Sequence, residues 1–142
     1  MKMYTPISEI MTKKVITLNH TDELETAERL FKTHKIRHIP VVDGKAIVGM
    51  LSYTDLLRIS FADAVNDDDD TVEALVYNMF TIEQVMAKKL ISVPPTATVR
   101  EVAQILAIRE FHALPVLEGR TIVGIVTTTD LIRYMLKEEA EA

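Results

Sequence analysis

The sequence contains no cysteine and no tryptophan, and only four glycines and five prolines among its 142 residues. The absence of cysteine excludes disulfides, thiol catalysis and thiolate metal sites, and it is typical of cytoplasmic proteins. No Gly-rich phosphate loop of the Walker or dinucleotide-binding type is present. No nucleophile elbow marks a Ser-His-Asp arrangement either. We therefore expect a binding protein and not an enzyme.

Long hydrophobic runs and excess positive charge are also missing. No apolar run approaches the roughly 18 residues that a membrane span needs, and the first four residues lack the apolar core of a signal peptide. The formal net charge is -5, which argues against nucleic acid as the main partner because binding to its phosphates needs a basic surface. We expect a cytoplasmic protein that binds neither membrane nor nucleic acid.

The most informative positive feature is an internal repeat. Residues 82–136 fall on residues 7–61 without a gap when they are shifted by 75 positions. Two copies of a unit that cannot bury its own apolar face usually pack against each other, and the cleft between them then holds near-equivalent sites related by a pseudo-twofold axis. We predict a first unit at 5–61, an acidic linker with a short helix at 62–80, and a second unit at 81–137.

Each copy begins with the same two signals. Short apolar runs of strand length lie at 15–18 and 90–93. An amphipathic helical pattern follows each run, with Thr21 and Thr96 as candidate N-caps in register.

Two strands and a closing helix complete each copy. Asp43 and Gly44 separate two apolar runs, which is a strong hairpin signal, and a Glu-Gly pair stands at the same place in the second copy. The closing helices start near Thr54 and Thr129. The sequence therefore predicts an α+β fold made of two units with the order strand, helix, strand, strand, helix.

An acidic run separates the copies. Four adjacent aspartates, Asp67 to Asp70, repel one another and favour a solvated loop. Calcium loops alternate their ligands and place a glycine at the turn, which this run does not do. We therefore predict no metal site, and a short helix that begins after Thr71.

The sharpest repeated string runs from Gly49 to Asp55 and from Gly124 to Asp130. A buried strand ends there in hydroxyl side chains and an aspartate where a helix begins. Hydroxyls and free amides at the positive end of a helix dipole can hold an anion, and the carboxylate beside them can accept from both hydroxyls of a ribose. The alternative is structural, because the same residues can simply cap the helix.

A second repeated feature lies just ahead of the strand that pairs with this motif. Arg37 and His112 fall in register before Pro40 and Pro115, and His38 follows Arg37. Arginine offers a planar fork that suits phosphate, and histidine can gain charge near neutral pH. Together with the apolar walls, these groups suit a nucleotide.

On these residues the chain resembles a tandem pair of cystathionine-beta-synthase (CBS) domains. The family signature, a glycine, two apolar residues, Ser or Thr, two further residues and an Asp, is met in both copies, and the resemblance covers about residues 5–137. It implies a regulatory module that binds AMP, ADP or ATP in the cleft between the units and signals to an effector protein by conformational change. It also implies a homodimer, with the nucleotide as a regulatory ligand and no cofactor.

The resemblance further implies roles for individual residues. Aspartates meet the ribose, hydroxyls meet ribose or phosphate, cations face the phosphate, and apolar residues and prolines line the adenine slot. The residues implied in the first copy are Thr17, Arg37, His38, Ile39, Pro40, Ser52, Thr54 and Asp55. Those implied in the second copy are Ser92, Val93, His112, Ala113, Leu114, Pro115, Thr127, Thr129 and Asp130.

Three alternatives stay open at this point. The module could bind S-adenosylmethionine or a dinucleotide instead, since family members differ in their ligand. It could also be a structural or oligomerisation domain with vestigial sites. Ala113 departs from the second basic residue of the family, so we expect a weaker phosphate preference in the second copy.

Overall fold

The computed structural model describes residues 2–64, 79–109 and 112–141, and this part of the chain confirms the mixed α+β class. The chain divides into two compact units. We call Ile16–Leu90 the central unit, and Met1–Val15 together with Ile91–Ala142 the terminal unit. The acidic run and the helix predicted after Thr71 lie outside the described residues.

The central unit contains a three-stranded arrangement with one parallel and one antiparallel pairing. Strand β1 runs parallel to β2, and β2 runs antiparallel to β3. Its elements are β1 (Leu18–Asn19), α1 (Leu24–His34), β2 (His38–Asp43), β3 (Ala46–Ser52), α2 (Tyr53–Ala64) and α3 (Ile82–Val85).

The terminal unit repeats this plan with a shorter first strand. Val93 makes a single parallel bridge to Val116, and β4 pairs antiparallel with β5. Its elements are a 3-10 helix (Ile7–Glu9), α4 (Val99–Arg109), β4 (Ala113–Glu118), β5 (Thr121–Thr127) and α5 (Thr128–Glu141).

Each unit has its own hydrophobic core, formed by one helix stripe and one face of the hairpin. In the central unit, Leu24, Ala27 and Phe31 of α1 pack with Ile39 and Val41, which are alternate residues of β2. In the terminal unit, Val99, Val102 and Leu106 of α4 pack in the same way with Leu114 and Val116 of β4. The 3.6-residue spacing therefore identifies the buried face of each helix, whereas β2 and β4 are buried on both faces, at residues 39–42 and 114–116.

The segments that open the two copies are exchanged between the units. Residues 2–15 belong to the terminal unit, where Thr12 and Ile125 exchange backbone hydrogen bonds of 2.8 and 3.0 Å. Residues 79–90 belong to the central unit, where Ala87 and Met50 exchange bonds of 2.9 and 3.0 Å. Each unit is thus completed by the segment that the repeat assigns to the other copy.

Side chains fix these exchanged segments in place. The Tyr134 hydroxyl donates to the Lys2 carbonyl oxygen at 2.6 Å and lies 3.0 Å from Thr5 Oγ1. In the central unit, a hydrogen bond of 2.7 Å joins His20 Nδ1 to Glu83 Oε1 on α3. The two anchors differ between the copies, although the backbone pairing is the same.

The glycine of each repeated motif leaves room for a methionine of the exchanged segment. A Cβ placed on Gly49 would lie 2.8 Å from Met86 Cγ, and one placed on Gly124 would lie 2.9 Å from Met11 Cγ. Both distances are shorter than real Cβ contacts. A larger residue at either glycine would therefore displace the methionine side chain.

Both hairpins form where the sequence predicts them, each with a two-residue turn. Gly44 and Gly119 take the first turn position with φ of 63°. A glycine with positive φ at this position is typical of type II′ turns, whose twist matches that of the flanking strands.

Three local predictions were wrong in position, one strand and the two threonine N-caps. The first strand of the central unit lies at Leu18–Asn19 and not at 15–18. The N-cap of α4 is Thr98, which accepts from the Glu101 amide at 3.1 Å, and not Thr96. Helix α1 has Glu23 at its N-cap without a side-chain bond, while the Thr21 hydroxyl donates to Asn19 Oδ1 at 2.8 Å.

Candidate functional site

The repeated motif of the central unit lies where β3 passes directly into α2. Ser52 ends the strand, and its hydroxyl accepts from the Asp55 amide at 3.0 Å. The Asp55 carboxylate is about a third exposed and lies 3.7 Å from Nη1 of the solvent-exposed Arg58. Within the described residues it accepts no backbone hydrogen bond, so its oxygens are available to a ligand.

The same motif in the terminal unit forms a reciprocal cap. The Thr127 hydroxyl accepts from the Asp130 amide at 3.1 Å, and the Thr127 amide donates to Asp130 Oδ2 at 2.9 Å. The hydroxyl of Thr12, on the exchanged segment, lies 3.5 Å from both carboxylate oxygens. Asp130 therefore has more partners within its unit than Asp55 has.

The predicted cations stand at the starts of these helices. The Arg37 carbonyl accepts from the Tyr53 amide at 2.8 Å, and the His112 carbonyl accepts from the Thr128 amide at 3.0 Å. Both side chains are exposed. Since Tyr53 and Thr128 begin α2 and α5, the structure brings each cationic residue next to the aspartate motif of its own unit.

The residues that follow the cations pair across the hairpin with the motif hydroxyls. His38 is opposite Ser52, and Ala113 is opposite Thr127. Imidazole in one unit thus corresponds to a methyl group in the other, as the sequence indicates.

The apolar residues predicted to line an adenine slot divide between two faces of the hairpins. The Ile39 and Leu114 side chains are 0% and 1% exposed and belong to the cores, so they have no free surface for a base. Pro40 and Pro115, the next residues on each strand, point to the opposite face and are buried as well. Val93 is 5% exposed and also belongs to a core.

The remaining predicted residues are all exposed hydroxyl side chains. Thr17 and Ser92 directly precede β1 and the bridge residue Val93. Thr54 and Thr129 lie in the first turns of α2 and α5. Their contact with a ligand stays a prediction.

Two features near Asp130 were missed by the sequence analysis. One is Thr12, because its contact depends on the segment exchange. The other is a groove of about 350 Å³ between the start of the chain and α5, lined among others by Lys2, Arg133 and Lys137 together with Asp130. Arg133 and Lys137 follow Asp130 at helical spacing, a signal that could have identified this face.

The described part of the chain holds no cluster of three or more His, Asp or Glu side chains that could bind a metal ion. Among the same residues, no helix has both the length and the apolar character needed to cross a membrane.

Fold and motif together define a protein with two copies of one α+β module. The family model of the CBS domain matches residues 7–62 and 82–137. The chain belongs to the CBS domain family and is a tandem CBS pair.

Relatives and solved structures agree with this assignment. The chain is 28% identical over 134 residues to MJ1404 of Methanocaldococcus jannaschii, covering 92% of this chain and 32% of that protein, and so spans about a third of that relative's length. The structure of AcuB from Vibrio cholerae is 27% identical, covers 97% of both chains and superposes with a TM-score of 0.80.

A third comparison involves a structure solved with ligands. The CBS domain pair of MJ0100, in complex with 5′-methylthioadenosine and S-adenosyl-L-methionine, is 26% identical, covers 95% of this chain and 98% of its own, and has a TM-score of 0.77. CBS pairs of the same fold thus include one that holds adenosine compounds.

Proposed function

We propose that the protein is a regulatory sensor that binds an adenosine nucleotide, AMP, ADP or ATP, at the helix-start motifs of its two units. Occupancy then favours one conformation and changes the contacts with an effector protein. The observation that carries the proposal is the Asp55 carboxylate, which is about a third exposed in the first turn of α2, with the exposed Arg37 at the start of the same helix. No catalytic step is proposed, and a cytoplasmic location fits a chain without cysteine.

The roles of the groups follow from their chemistry. The two oxygens of Asp55 suit the two hydroxyls of a ribose, since each oxygen can accept one hydrogen bond. The Arg37 side chain, at the start of the same helix, can pair with phosphate through its fork. The complex of MJ0100 with adenosine compounds supports the adenosine part of the ligand.

S-adenosylmethionine is the second candidate ligand, and the MJ0100 complex is the observation that favours it. It shares the ribose and the base but carries no phosphate, so Arg37 would contribute little to its binding. Comparison of AMP with S-adenosylmethionine therefore separates the two ligand classes.

A structural role without ligand is the second candidate function, because the Ser52 and Thr127 hydroxyls are already used as helix caps. A cap needs no ligand. Removal of the Asp55 side chain separates the two functions. Ser52 and not the Asp55 carboxylate caps α2, so a loss of ligand affinity would indicate binding and not capping.

Isothermal titration calorimetry of wild type, Asp55→Ala and Arg58→Ala with AMP, ADP, ATP and S-adenosylmethionine tests the proposal. Loss of hydrogen bonds to a charged group should weaken ribonucleotide binding by about 1.5 to 3 kcal/mol in Asp55→Ala, and 2′-deoxy ligands should bind less well to wild type. Folding stability should change little, because an exposed ion pair contributes about 0 to 1 kcal/mol.

Arg58→Ala is the matched control, since it removes the neighbour of Asp55 and keeps the carboxylate. Its affinity should stay within about threefold of wild type. Absence of binding by every ligand to wild type would favour the structural role.

A further inference from the structure

We call the Asp55 motif of the central unit and the Asp130 motif of the terminal unit the two half-sites. They differ in the residue that the exchanged segment places beside the aspartate. Thr12 and Ala87 are separated by the repeat spacing and occupy the same backbone position. Thr12 exchanges hydrogen bonds with Ile125 and Ala87 does so with Met50, all between 2.8 and 3.0 Å. The backbone is therefore equivalent, and the two units differ at this point by a hydroxyl against a methyl group.

The hydroxyl faces the carboxylate that a ribose would need. Thr12 Oγ1 lies 3.5 Å from both Oδ1 and Oδ2 of Asp130, and Oδ2 also accepts from the Thr127 amide at 2.9 Å. A methyl group at Ala87 cannot donate to Asp55. Among the described residues, Asp55 has only Arg58 at 3.7 Å, whose side chain is 77% exposed.

This difference affects the binding of a cis-diol. Each ribose hydroxyl needs one acceptor oxygen of the carboxylate, and the Thr12 hydroxyl, 3.5 Å from both oxygens, can donate to the same positions and so compete. A water-screened arginine at the edge of Asp55 competes less, because an exposed ion pair at this distance is weak.

We infer that Thr12 is a specificity-determining residue that makes the two half-sites unequal. The Asp55 half-site binds the ribose ligand more tightly, and Thr12 weakens the Asp130 half-site. The inference rests on the proposed function, and it names the residue that sets the order in which the two half-sites fill.

The residues just ahead of the two motif strands also favour the central unit. The central unit presents Arg37 and His38 ahead of its motif strand, while the terminal unit presents His112 and Ala113. Arginine is the better partner for phosphate because its fork is permanently charged. At the position ahead of the motif strand, the central unit therefore offers the stronger partner for phosphate, whereas the cations near Asp130 are Lys2, Arg133 and Lys137 of the groove.

Reciprocal substitutions in single-site proteins test the inference by calorimetry with AMP. Asp130→Asn reports on the Asp55 half-site, and Asp55→Asn reports on the Asp130 half-site. Asparagine is chosen because its carbonyl can still accept from the Thr127 amide. We expect the Asp130→Asn protein to bind AMP more tightly than the Asp55→Asn protein.

Thr12→Ala in the Asp55→Asn background should tighten AMP binding by about two- to tenfold, the effect of removing one competing hydrogen bond. Ala87→Thr in the Asp130→Asn background should weaken binding by a similar factor. Thr12→Ser keeps the hydroxyl and should behave as the parent protein.

A ligand without a diol separates this role from a structural one. With 2′,3′-dideoxyadenosine monophosphate, Thr12→Ala should leave the affinity unchanged, whereas a general change of the pocket would alter it for both ligands. Equal affinities of the two single-site proteins, or no response to Thr12→Ala, would overturn the inference while the proposed function stands. Absence of AMP binding to wild type would overturn both.

Discussion

At the scale of single residues, the repeated motif serves packing and capping before any ligand is bound. Gly49 admits Met86, and Ser52 caps α2 through the Asp55 amide. The glycine and the hydroxyl are thus explained by the fold alone. The Asp55 carboxylate is not, because the only ion pair that it makes within the described chain is with the exposed Arg58. It is the residue of the motif that most needs a functional explanation.

The contact between Gly49 and Met86 gives a prediction for stability. Gly49→Ala should destabilise the protein by about 1 to 3 kcal/mol, because the new Cβ would lie 2.8 Å from Met86 Cγ in a packed core. Met86→Ala alone should cost about 2 to 5 kcal/mol through the cavity it leaves. The double variant should lose clearly less stability than the sum of the two single losses, because the new Cβ no longer clashes with a methionine side chain. Urea unfolding of all four proteins measures this coupling.

Gly44→Ala is the control for this cycle. A Cβ at Gly44 meets nothing within 4 Å, but its φ of 63° is unfavourable for alanine. It should therefore cost about 1 kcal/mol equally with and without Met86. If Gly49→Ala is just as costly in the Met86→Ala background, close packing is not the reason for the glycine.

At the scale of secondary-structure elements, local sequence signals predicted the type of each element more accurately than the residues at which it begins and ends. The hairpin around Gly44 was predicted because a tight turn needs a residue that tolerates positive φ. The cap of α4 was misplaced by two residues, since Thr96 and Thr98 both precede the apolar stripe. Only the geometry shows that the Thr98 carbonyl accepts the first helical bond, from Val102 at 3.0 Å.

The corrected cap can be checked by two substitutions in the same turn. Thr98→Ala should lower stability by about 0.5 to 2 kcal/mol, because the Glu101 amide loses its acceptor. Thr96→Ala should change stability by less than about 0.5 kcal/mol, since its exposed side chain makes no hydrogen bond within the described residues. Chemical denaturation midpoints measure both. Equal losses of stability in the two variants would contradict the assignment of Thr98 as the N-cap.

At the scale of the whole molecule, the repeat predicted two units but not how the chain builds them. The turns around Met11 and Met86 have similar sequences, so either could pack on either copy. The exchange places Thr12 beside Asp130, which is why the sequence analysis identified the aspartate and missed its neighbour. Contacts made by equivalent segments cannot be assigned from a repeat alone, because both pairings satisfy the same apolar pattern.

We also propose that two copies of the chain associate through α5. Ile132, Met135 and Leu136 share one face of this helix and are 50%, 50% and 60% exposed. Leu57, the repeat equivalent of Ile132, is 47% exposed on α2. Burial of large apolar side chains stabilises an interface by about 25 cal/mol per Å². Exposed apolar patches mark interaction sites, and Ile132, Met135 and Leu136 form such a patch on α5.

Light scattering coupled to gel filtration tests this association. Wild type should have about twice the chain mass of 16.0 kDa, and Leu136→Glu should reduce it to the mass of one chain, because a buried charge without a partner is costly. Ile108→Glu is the matched control, since Ile108 is 78% exposed but lies on a different helix, α4. It should leave the dimer intact. A monomeric wild type, or loss of the dimer in Ile108→Glu alone, would show that α5 is not the surface that joins two chains.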